Sequence, residues 1–392
     1  MDPIYVSERN RGVVPARPGE FPSLRLGPLS VWPPVVLAPM AGITNYPFRR
    51  ICRRFGAGLY VSEMITARAL VEGHDKTLKL AAFGPDEAPR SLQLYGVDPR
   101  HLAEATRRLV GEGQVDHIDL NFGCPVRKIT SKGGGAAIPY KPRLLRRLVR
   151  AVVGASEGTP VTIKVRLGID EEHMTFRAAG DVAEGEGCAA IALHARTAAE
   201  LYDGEARWEF IGELVARLSI PVLGNGDIWE AWDALRMMRA TGAAGVVVGR
   251  GCMGRPWLFR DLACVFDGAA PPDPPTLGEV VDVLKEHARL MEEWFGTRSG
   301  LRMMRKLTVW YTKGFPKTGP VRDRLIRMDS LDDIDRAFEG LDMGTPFPPA
   351  AMRIRRGKRS GRQKVALPHG YLDQPDDDTP PTAAAGDSSP GG

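Results

Sequence analysis

Short apolar runs rich in β-branched residues recur along the chain about every 30 residues, and a stretch with helical spacing follows each of them. The runs are VVLAPM (35–40), LYVSEM (59–64), SLQLYG (91–96), DHIDLNFG (116–123), VTIKVR (161–166), AAIALHAR (189–196), IPVLGNG (220–226) and GVVVGRG (245–251). Strands that alternate with helices form a parallel sheet, and eight such repeats are the number that closes a (β/α)8 barrel. An open doubly wound sheet is the alternative. That fold usually carries GxGxxG after its first strand, where this chain reads APMAGIT.

Beyond the last repeat, the pattern changes to helices alone. A proline-rich linker (267–276) ends in Thr276, which forms a predicted capping box with Glu279 ahead of an amphipathic stretch. A second helix is predicted over 299–313 and a third from Ser330. The predicted fold class is therefore α/β, a (β/α)8 TIM barrel with a C-terminal all-helical domain. The predicted organisation is a flexible N-terminal extension (1–30), the barrel (31–266), the helical domain (276–350) and a disordered tail, first basic and then acidic and proline-rich (351–392).

Composition narrows the class of protein without naming a function. The 392 residues are 43% hydrophobic and 26% charged, as in ordinary soluble domains, and the net charge of +5 is compatible with a polyanionic partner. Five cysteines without a CxxC pair indicate a reducing compartment and exclude a disulfide framework or a cysteine zinc site. The sequence lacks an apolar run of the roughly 18 residues that a membrane span needs, and its first residues lack a signal-peptide core. We therefore expect a cytoplasmic protein with no metal site.

Polar or sulfur-bearing residues end nearly every predicted strand. In order they are Met40, Glu63, Gln93, Asn121 with Cys124, Lys164 with Arg166, His194 with Arg196, Asn225, and Gly249 with Arg250. Because the catalytic groups of such barrels lie at the carboxyl ends of the strands, this pattern predicts a functional site there. The last two loops, GNGDI (224–228) and VGRG (248–251), are typical of phosphate binding, although tight strand-to-helix turns would use the same glycines.

Two of these residues carry specific chemistry. Lys164 interrupts an apolar strand, so it either faces an anionic partner, such as a reduced flavin, or is a snorkelling or ion-paired lysine. A lone cysteine is usually a small buried hydrophobe, but Cys124 lies in a loop followed by Lys128, Lys132 and the glycines 133–135. We expect that loop to be mobile and exposed. A thiol with the ordinary pKa of about 8.5 is mostly protonated at neutral pH and can donate a proton.

Several motifs resemble those of the tRNA-dihydrouridine synthases, in the same order and spacing over residues 33–262. They are APMAGITNYPFRR, SLQLYG, DLNFGCPVRKITSKGGGAA, IKVRLG, LHART, GNGDI and GRG. The segment GLRMMRKLTVWYTKGFP (300–316) resembles the helical RNA-binding domain of the bacterial B-type branch. The NFGCP loop and the KGGG element are specific to this family, whereas related flavin barrels share the other motifs.

The resemblance implies a flavin enzyme that reduces tRNA uridines to 5,6-dihydrouridine, with hydride passing from FMN to C6 and NADPH or NADH reducing the FMN. It implies Cys124 as the donor of the proton to C5. It implies that FMN contacts Pro39, Met40, Ala41, Gln93, Lys164, His194, Asn225, Gly226, Asp227, Gly249 and Arg250. It also implies substrate contacts from Asn121, Arg166, Arg196, Lys132, Arg302, Arg305 and Lys306. The expected partners are tRNA and NAD(P)H, with no membrane, and we expect a monomer.

Two other functions stay open at this point. One is a flavin barrel of the dihydroorotate dehydrogenase or enone-reductase kind that acts on a free metabolite. The other is a tRNA-binding protein without catalysis, which would be colourless when purified. The cationic face predicted on helix 299–313 favours an RNA substrate, although such a face is often only solvated.

Overall fold

The protein is a closed barrel of eight parallel strands with a helical region packed on one side. The computed structural model describes residues 2–56, 58–357 and 361–381. After a hairpin of β1 (Leu24–Leu26) and β2 (Leu29–Val31), the barrel strands are β3 (Val35–Leu37), β4 (Leu59–Thr66), β5 (Ser91–Tyr95), β6 (His117–Phe122), β7 (Val161–Arg166), β8 (Ala190–His194), β9 (Val222–Asn225) and β10 (Gly245–Val248). Each strand pairs with the next, and β10 pairs with β3, which closes the ring. The predicted barrel is confirmed, and seven of its eight strands lie within their predicted runs, while β4 extends two residues beyond its run.

The strand register brings the carboxyl-end side chains to one level. Lys164 on β7 stands opposite Asn121 on β6, and Arg166 stands opposite His194 on β8. His194 in turn pairs with Asn225 on β9. Because side chains alternate between the two faces of a strand, residues in register at the same end point into one space.

Helices surround the barrel and continue beyond it. They are α1 (Tyr46–Phe55), α2 (Ala67–Val71), α3 (Asp75–Ala81), α4 (Pro99–Gly111), α5 (Arg127–Thr130), α6 (Pro142–Ala155), α7 (Phe176–Gly185), α8 (Glu209–Arg217), α9 (Ala231–Thr241), α10 (Leu258–Phe266), α11 (Leu277–Phe295), α12 (Thr297–Tyr311), α13 (Gly319–Leu325) and α14 (Asp332–Phe338). Short 3-10 turns cover Pro3–Tyr5, Glu8–Asn10, Gly135–Tyr140, Arg250–Cys252, Pro349–Ala351 and Tyr371–Asp373. None of the helices in the described part of the chain is long and apolar enough to cross a bilayer.

The C-terminal helices α11 to α14 share one apolar core with the barrel helix α1. The predicted capping box at the start of α11 is present, since the Thr276 and Glu279 side chains each accept from the other's backbone N–H. Ile51 of α1 is fully buried in the same cluster as Leu284 of α11 and Met304 of α12. The predicted second and third helices correspond to α12 and α14, while α13 was not predicted. The helical region is therefore packed onto the barrel rather than joined to it only by a linker.

The N-terminal residues differ from the prediction of a flexible extension. Tyr5 and Asn10 are buried, and the Asn10 amide donates to Asp233 Oδ1 at 3.0 Å. Leu24 and Leu26 of the hairpin belong to the apolar cluster inside the barrel. The hairpin therefore closes the amino end of the barrel, and burial of these side chains holds the segment in place.

The described part of the C-terminal tail also differs from the prediction of disorder. Residues 361–381 lie against the loop after β6 and the start of α6, and Tyr371 is buried there. The segment has few apolar residues, so its composition predicted a chain that cannot fold alone. Its stability comes from hydrogen bonds and ion pairs to barrel residues that the tail sequence does not reveal. Residues 358–360 and 382–392 lie outside the described residues.

Candidate functional site

A chain of hydrogen bonds runs through the barrel interior and ends at the loop that carries Cys124. The Thr162 hydroxyl donates to Asp119 Oδ1 at 2.7 Å, and the Gln93 amide donates to Asp119 Oδ2 at 2.6 Å. The Asn121 amide then donates to Gln93 Oε1 at 2.8 Å. Burial raises the pKa of Asp119 to about 6, although its hydrogen bonds oppose that shift. The predicted residues Gln93 and Asn121 are thus directly joined, each oriented by a buried neighbour.

Asn121 fixes the backbone beside the cysteine. Its Oδ1 accepts from the N–H of Gly123 at 3.2 Å and from the N–H of Cys124 at 3.0 Å. On the other side of the loop, the N–H of Ala136 donates to the Cys124 carbonyl at 3.0 Å. Cys124 is half-buried, and its thiol is not in a disulfide. The loop is therefore held at both flanks of the cysteine.

The glycines after the cysteine are buried, so the prediction of a mobile, exposed loop is not met for residues 133–135. A side chain at Gly134 would overlap the Tyr95 hydroxyl, and one at Gly135 would lie 2.5 Å from the Cys124 carbonyl oxygen. Gly135 also has a φ of +56°, a conformation that other residues rarely adopt. The glycines are present because the chain passes too close to Tyr95 and Cys124 for a Cβ, and not because the loop moves.

Four cationic side chains surround a neutral histidine at the centre of the site. Burial lowers the pKa of His194 well below its usual range, and the charges of Arg166, Lys164, Arg196 and Arg250 lower it further. Burial, together with the Arg166 charge, lowers the pKa of Lys164 to about 8, so this lysine is a cation at neutral pH. Burial also lowers the pKa of Arg250 to about 10. Because desolvated cations are costly without a counter-charge, this cluster indicates an anionic ligand.

One buried N–H donor of the Arg196 guanidinium makes no hydrogen bond to the described residues. Its Nη2 donates to both carboxylate oxygens of Asp227, at 2.9 and 2.8 Å, and its Nε donates to the Asp203 carbonyl at 2.9 Å. Its Nη1 is buried and has no hydrogen-bond partner among the residues that the structure describes. A Cβ at Gly226 would lie 3.8 Å from this atom, so the unpaired donor is beside the first glycine-rich loop. An unmatched guanidinium donor at that place suits a phosphate or carbonyl oxygen of a ligand.

Arg166 holds the loops around the site. Its Nε donates to the Gly123 carbonyl at 3.0 Å, and its Nη1 donates to the carbonyls of Thr197 and Leu201 at 2.9 and 2.8 Å. Tyr202 lies between two guanidinium groups, with its ring centroid 5.4 Å from Arg166 Cζ and 4.1 Å from Arg250 Cζ. Arg166 therefore links the loop after β6 to the loop after β8, next to Cys124.

The two glycine-rich loops after β9 and β10 use glycine for different reasons, a positive φ at Gly226 and a lack of space at Gly251, where a Cβ would lie 2.1 Å from the Ile228 carbonyl oxygen. Gly226 has a φ of +131°, and Asp227 follows it at +60°. The Asn225 amide donates to the Val247 carbonyl at 2.7 Å, which joins the ends of β9 and β10. A Cβ at Gly249 would meet Met40 Sδ at 3.9 Å. The predicted residues of the last two loops and of the first loop are therefore neighbours.

The first loop of the barrel lies beneath a lysine from the helical region. Pro39 and Met40 are half-buried and Ala41 is exposed. Glu63 accepts from the N–H of Gly42 at 2.8 Å, and burial raises its pKa while Arg49 and Lys306 oppose that shift. A Cβ at Gly42 would lie 3.1 Å from Lys306 Nζ. Lys306 of α12 thus reaches the mouth of the barrel.

The other cations predicted to contact RNA lie in different places. Arg302 is exposed on α12, whereas Arg305 forms an ion pair with Asp329 and donates to the Met328 carbonyl at 2.9 Å. Lys132 is half-buried at the end of the turn that follows Cys124. Arg305 therefore stabilises the helical region itself, and of the three α12 cations predicted to contact RNA, Lys306 is the one that lies at the first loop.

Sequence reasoning missed the inward-facing polar residues of the barrel and the contribution of the tail. His117 and Asp119 alternate with apolar residues along β6, and this period of two was the available signal. Tyr202 and the tail residues had no comparable signal, because their positions depend on loops that are distant in sequence.

Comparison of this sequence with known proteins assigns it to one family. A family model described as dihydrouridine synthase (Dus) matches residues 36–339. A probable tRNA-dihydrouridine synthase of Mycobacterium tuberculosis (strain ATCC 25618 / H37Rv) is 50% identical over 386 residues, which cover 96% of this chain and 98% of that relative. The tRNA-dihydrouridine synthase B of Xanthomonas axonopodis pv. citri (strain 306) is 38% identical over 309 residues, 79% of this chain and 92% of that relative. The tRNA-dihydrouridine synthase B of Pseudomonas aeruginosa PAO1 is 39% identical over 311 residues, 79% of this chain and 92% of that relative. With its barrel, its NFGCP loop and these matches, the chain belongs to the dihydrouridine synthase family of oxidoreductases.

Proposed function

We propose that this enzyme reduces uridines in tRNA to 5,6-dihydrouridine, using bound FMN and NADPH or NADH as the electron donor. The observation that carries the proposal is the cluster of buried and half-buried cations that act on His194, directly beside the loop of Cys124. Lys164, Arg166, Arg196 and Arg250 outnumber the three carboxylates that act on them, Asp119, Glu200 and Asp227. Asp227 forms its ion pair with Arg196. A phosphate-bearing ligand with a ring that becomes anionic would balance this charge.

The residues at the carboxyl end fit FMN. Its phosphate would be held at Asn225, Gly226, Asp227, Gly249 and Arg250, where two glycine-rich loops meet. Its ring would contact Pro39, Met40, Ala41, Gln93, Lys164 and His194, and the unpaired Nη1 of Arg196 would face one of its oxygens. When bound, the flavin supplies the hydride that is added to C6 of the uracil.

Cys124 would complete the reduction by giving its thiol proton to C5, and the thiolate would recover a proton from solvent. The uracil loses its C5–C6 double bond and gains one hydride and one proton. Asn121 holds the backbone N–H of Cys124, so it would orient the acid, while Arg166 would fix the same loop at Gly123. The target nucleotide has to leave its stack to bring C5 and C6 to this depth.

The tRNA would be held by cations at the rim and on the helical region, which we propose is the tRNA-binding domain of residues 276–350. Lys306 reaches the first barrel loop from α12, and Arg302 is exposed on the same helix. Lys132 lies on the turn that follows Cys124. Contacts from these groups to phosphates would position the RNA without reading its sequence.

The test is the Cys124→Ala variant, compared with Cys264→Ala, which changes a half-buried thiol on α10 away from the site. Both variants should retain FMN. Dihydrouridine formation in undermodified tRNA should fall by about 10² to 10⁴ in Cys124→Ala and stay unchanged in the control, because general-acid help is worth that much. Normal product formation by Cys124→Ala would remove the assigned acid. Oxidation of the reduced enzyme by orotate but not by tRNA would favour a free-metabolite oxidoreductase instead.

A further inference from the structure

A segment outside the family-matched residues lies against the proposed catalytic loop. We call residues 361–381 the C-terminal strap. The family match ends at residue 339, so nothing in that match accounts for the strap. It runs from the loop after β8, across the loop after β6, to the start of α6.

Gln363 joins the strap to the residue that follows Cys124. Its side-chain amide donates to the Pro125 carbonyl at 2.9 Å and to the Ala198 carbonyl at 3.1 Å. Its backbone N–H donates to the Ala199 carbonyl at 2.8 Å. One side chain therefore fixes the loop of Cys124 relative to the loop after β8, and Arg166 makes the same connection from the other side of the cysteine.

Tyr371 joins the strap to the glycines that pack on Cys124. Its hydroxyl donates to the Ala137 carbonyl at 3.1 Å and lies 3.4 Å from the Gly133 carbonyl. Its ring lies so close to Gly133 that a Cβ there would meet it at 3.0 Å. Between these two carbonyls, Ala136 donates its N–H to the Cys124 carbonyl. The tyrosine thus supports the inner flank of the cysteine loop.

The far end of the strap is anchored by charge. Lys141 Nζ donates to Asp377 at 2.6 Å and lies 4.6 Å from the centroid of the Tyr371 ring. Asp378 forms an ion pair with Arg147 at 3.0 Å, and the Tyr140 hydroxyl donates to the Leu372 carbonyl at 2.9 Å. Lys141 is buried, so its pairing with Asp377 is screened less by salt than a surface pair would be. These contacts hold Tyr371 over the glycines.

We propose that Gln363 and Tyr371 are positioning residues that hold the Cys124 loop in its reactive geometry. The proposal rests on the proposed function, in which Cys124 is the proton donor. The strap supplies hydrogen bonds to Pro125, directly after the cysteine, and to Gly133 and Ala137 beside it, whereas the barrel supplies those from Asn121, Ala136 and Arg166. A shift of about 1 Å in a catalytic group can cost about 10² in rate, so bonds that remove such freedom matter to the reaction.

The test uses full-length holoenzyme with Gln363→Ala and with Tyr371→Phe, which keeps the buried ring and removes only the hydroxyl. The control is Gln374→Ala, an exposed residue of the same strap. Two quantities are measured: the single-turnover rate of dihydrouridine formation, and the rate at which iodoacetamide alkylates Cys124, located by mass spectrometry. The alkylation rate reports the freedom of the loop without requiring turnover.

We expect Gln363→Ala to alkylate several-fold faster at Cys124 and to react about tenfold more slowly, a factor that corresponds to 1.36 kcal/mol. FMN content and KM for tRNA should stay unchanged, and Tyr371→Phe should shift both rates in the same directions. If both variants match Gln374→Ala in alkylation, or alkylate faster yet react at the wild-type rate, the positioning role is overturned. These outcomes are independent of the Cys124→Ala result, since a fully active Cys124→Ala variant would remove the acid and leave the alkylation comparison valid.

Discussion

Gly135→Ala tests whether the cysteine loop depends on the close approach of the glycines. The backbone at Gly135 has a φ of +56°, and an alanine there costs about 1–2 kcal/mol from conformation alone. The new Cβ would also lie 2.5 Å from the Cys124 carbonyl oxygen and 2.9 Å from Ile129 Cγ2. To restore an ordinary contact of 3.4 Å, the carbonyl has to retreat by about 0.9 Å. That movement disturbs the hydrogen bond from Ala136, worth about 0.5–1.5 kcal/mol.

Gly113→Ala is the matched control. Gly113 has a φ of +60°, and a Cβ there meets no described atom within 4 Å, so it carries the conformational cost without the contact. We expect urea denaturation to show a loss of about 1–2 kcal/mol for Gly113→Ala and about 1.5–3.5 kcal/mol for Gly135→Ala. Dihydrouridine formation should stay at the wild-type rate in the control and fall by about 10² in Gly135→Ala, because Cys124 moves by nearly 1 Å. Equal stabilities and equal rates in the two variants would refute the packing argument.

Two further predictions concern charge. Because burial lowers the pKa of Lys164 to about 8, its charge is lost as the pH rises above 8, so the affinity of the apoprotein for FMN should fall by up to tenfold per pH unit between pH 8 and 9. In Lys164→Met, the affinity should be weaker and flat over the same range in a fluorescence titration, and parallel curves would contradict a ligand role. Lys306→Ala should reduce the slope of log K against log salt for tRNA binding by about one and leave FMN affinity unchanged. If the salt dependence of tRNA binding were unchanged in Lys306→Ala, Lys306 would not contact an RNA phosphate.

The fold could be predicted closely from the sequence because its signal is local and repeated. Each of the eight barrel strands overlaps a predicted apolar run, and β7 (Val161–Arg166) matches its run residue for residue. Closure into a barrel followed from the number of repeats. The short helix α13 was missed because Pro316, Gly319 and Pro320 suggest a turn, although a proline at the first turn is compatible with a helix.

The candidate site residues could be located at the strand ends from the sequence, but the contacts between them could not. Gln93, Asn121 and Cys124 were each recognisable at the strand ends, yet their bonding into one chain depends on the register of β5, β6 and β7. Arg305 illustrates the opposite case. The spacing of Arg305 on α12 predicted an RNA contact. In the structure it forms an ion pair with Asp329, which lies beyond the end of α12 and could not be paired with it from the helical pattern.

The ends of the chain were the least predictable part. Composition reports whether a segment has enough apolar surface to fold alone, and the strap does not. Composition does not reveal which carbonyl groups elsewhere in the fold can accept hydrogen bonds from the segment. Here the carbonyls of Pro125 and Ala137 accept from Gln363 and Tyr371.

The hairpin of β1 and β2 closes the barrel at its amino end. Leu24, Leu26 and Val31 fill the amino end of the barrel, so in the proposed reaction both substrates would approach the flavin from the carboxyl end. A nicotinamide donor and a flipped uridine would both need the same exposed face of the flavin, so they would have to bind one after the other. The proposed enzyme would then bind its two substrates alternately, and one would have to be released before the other could bind.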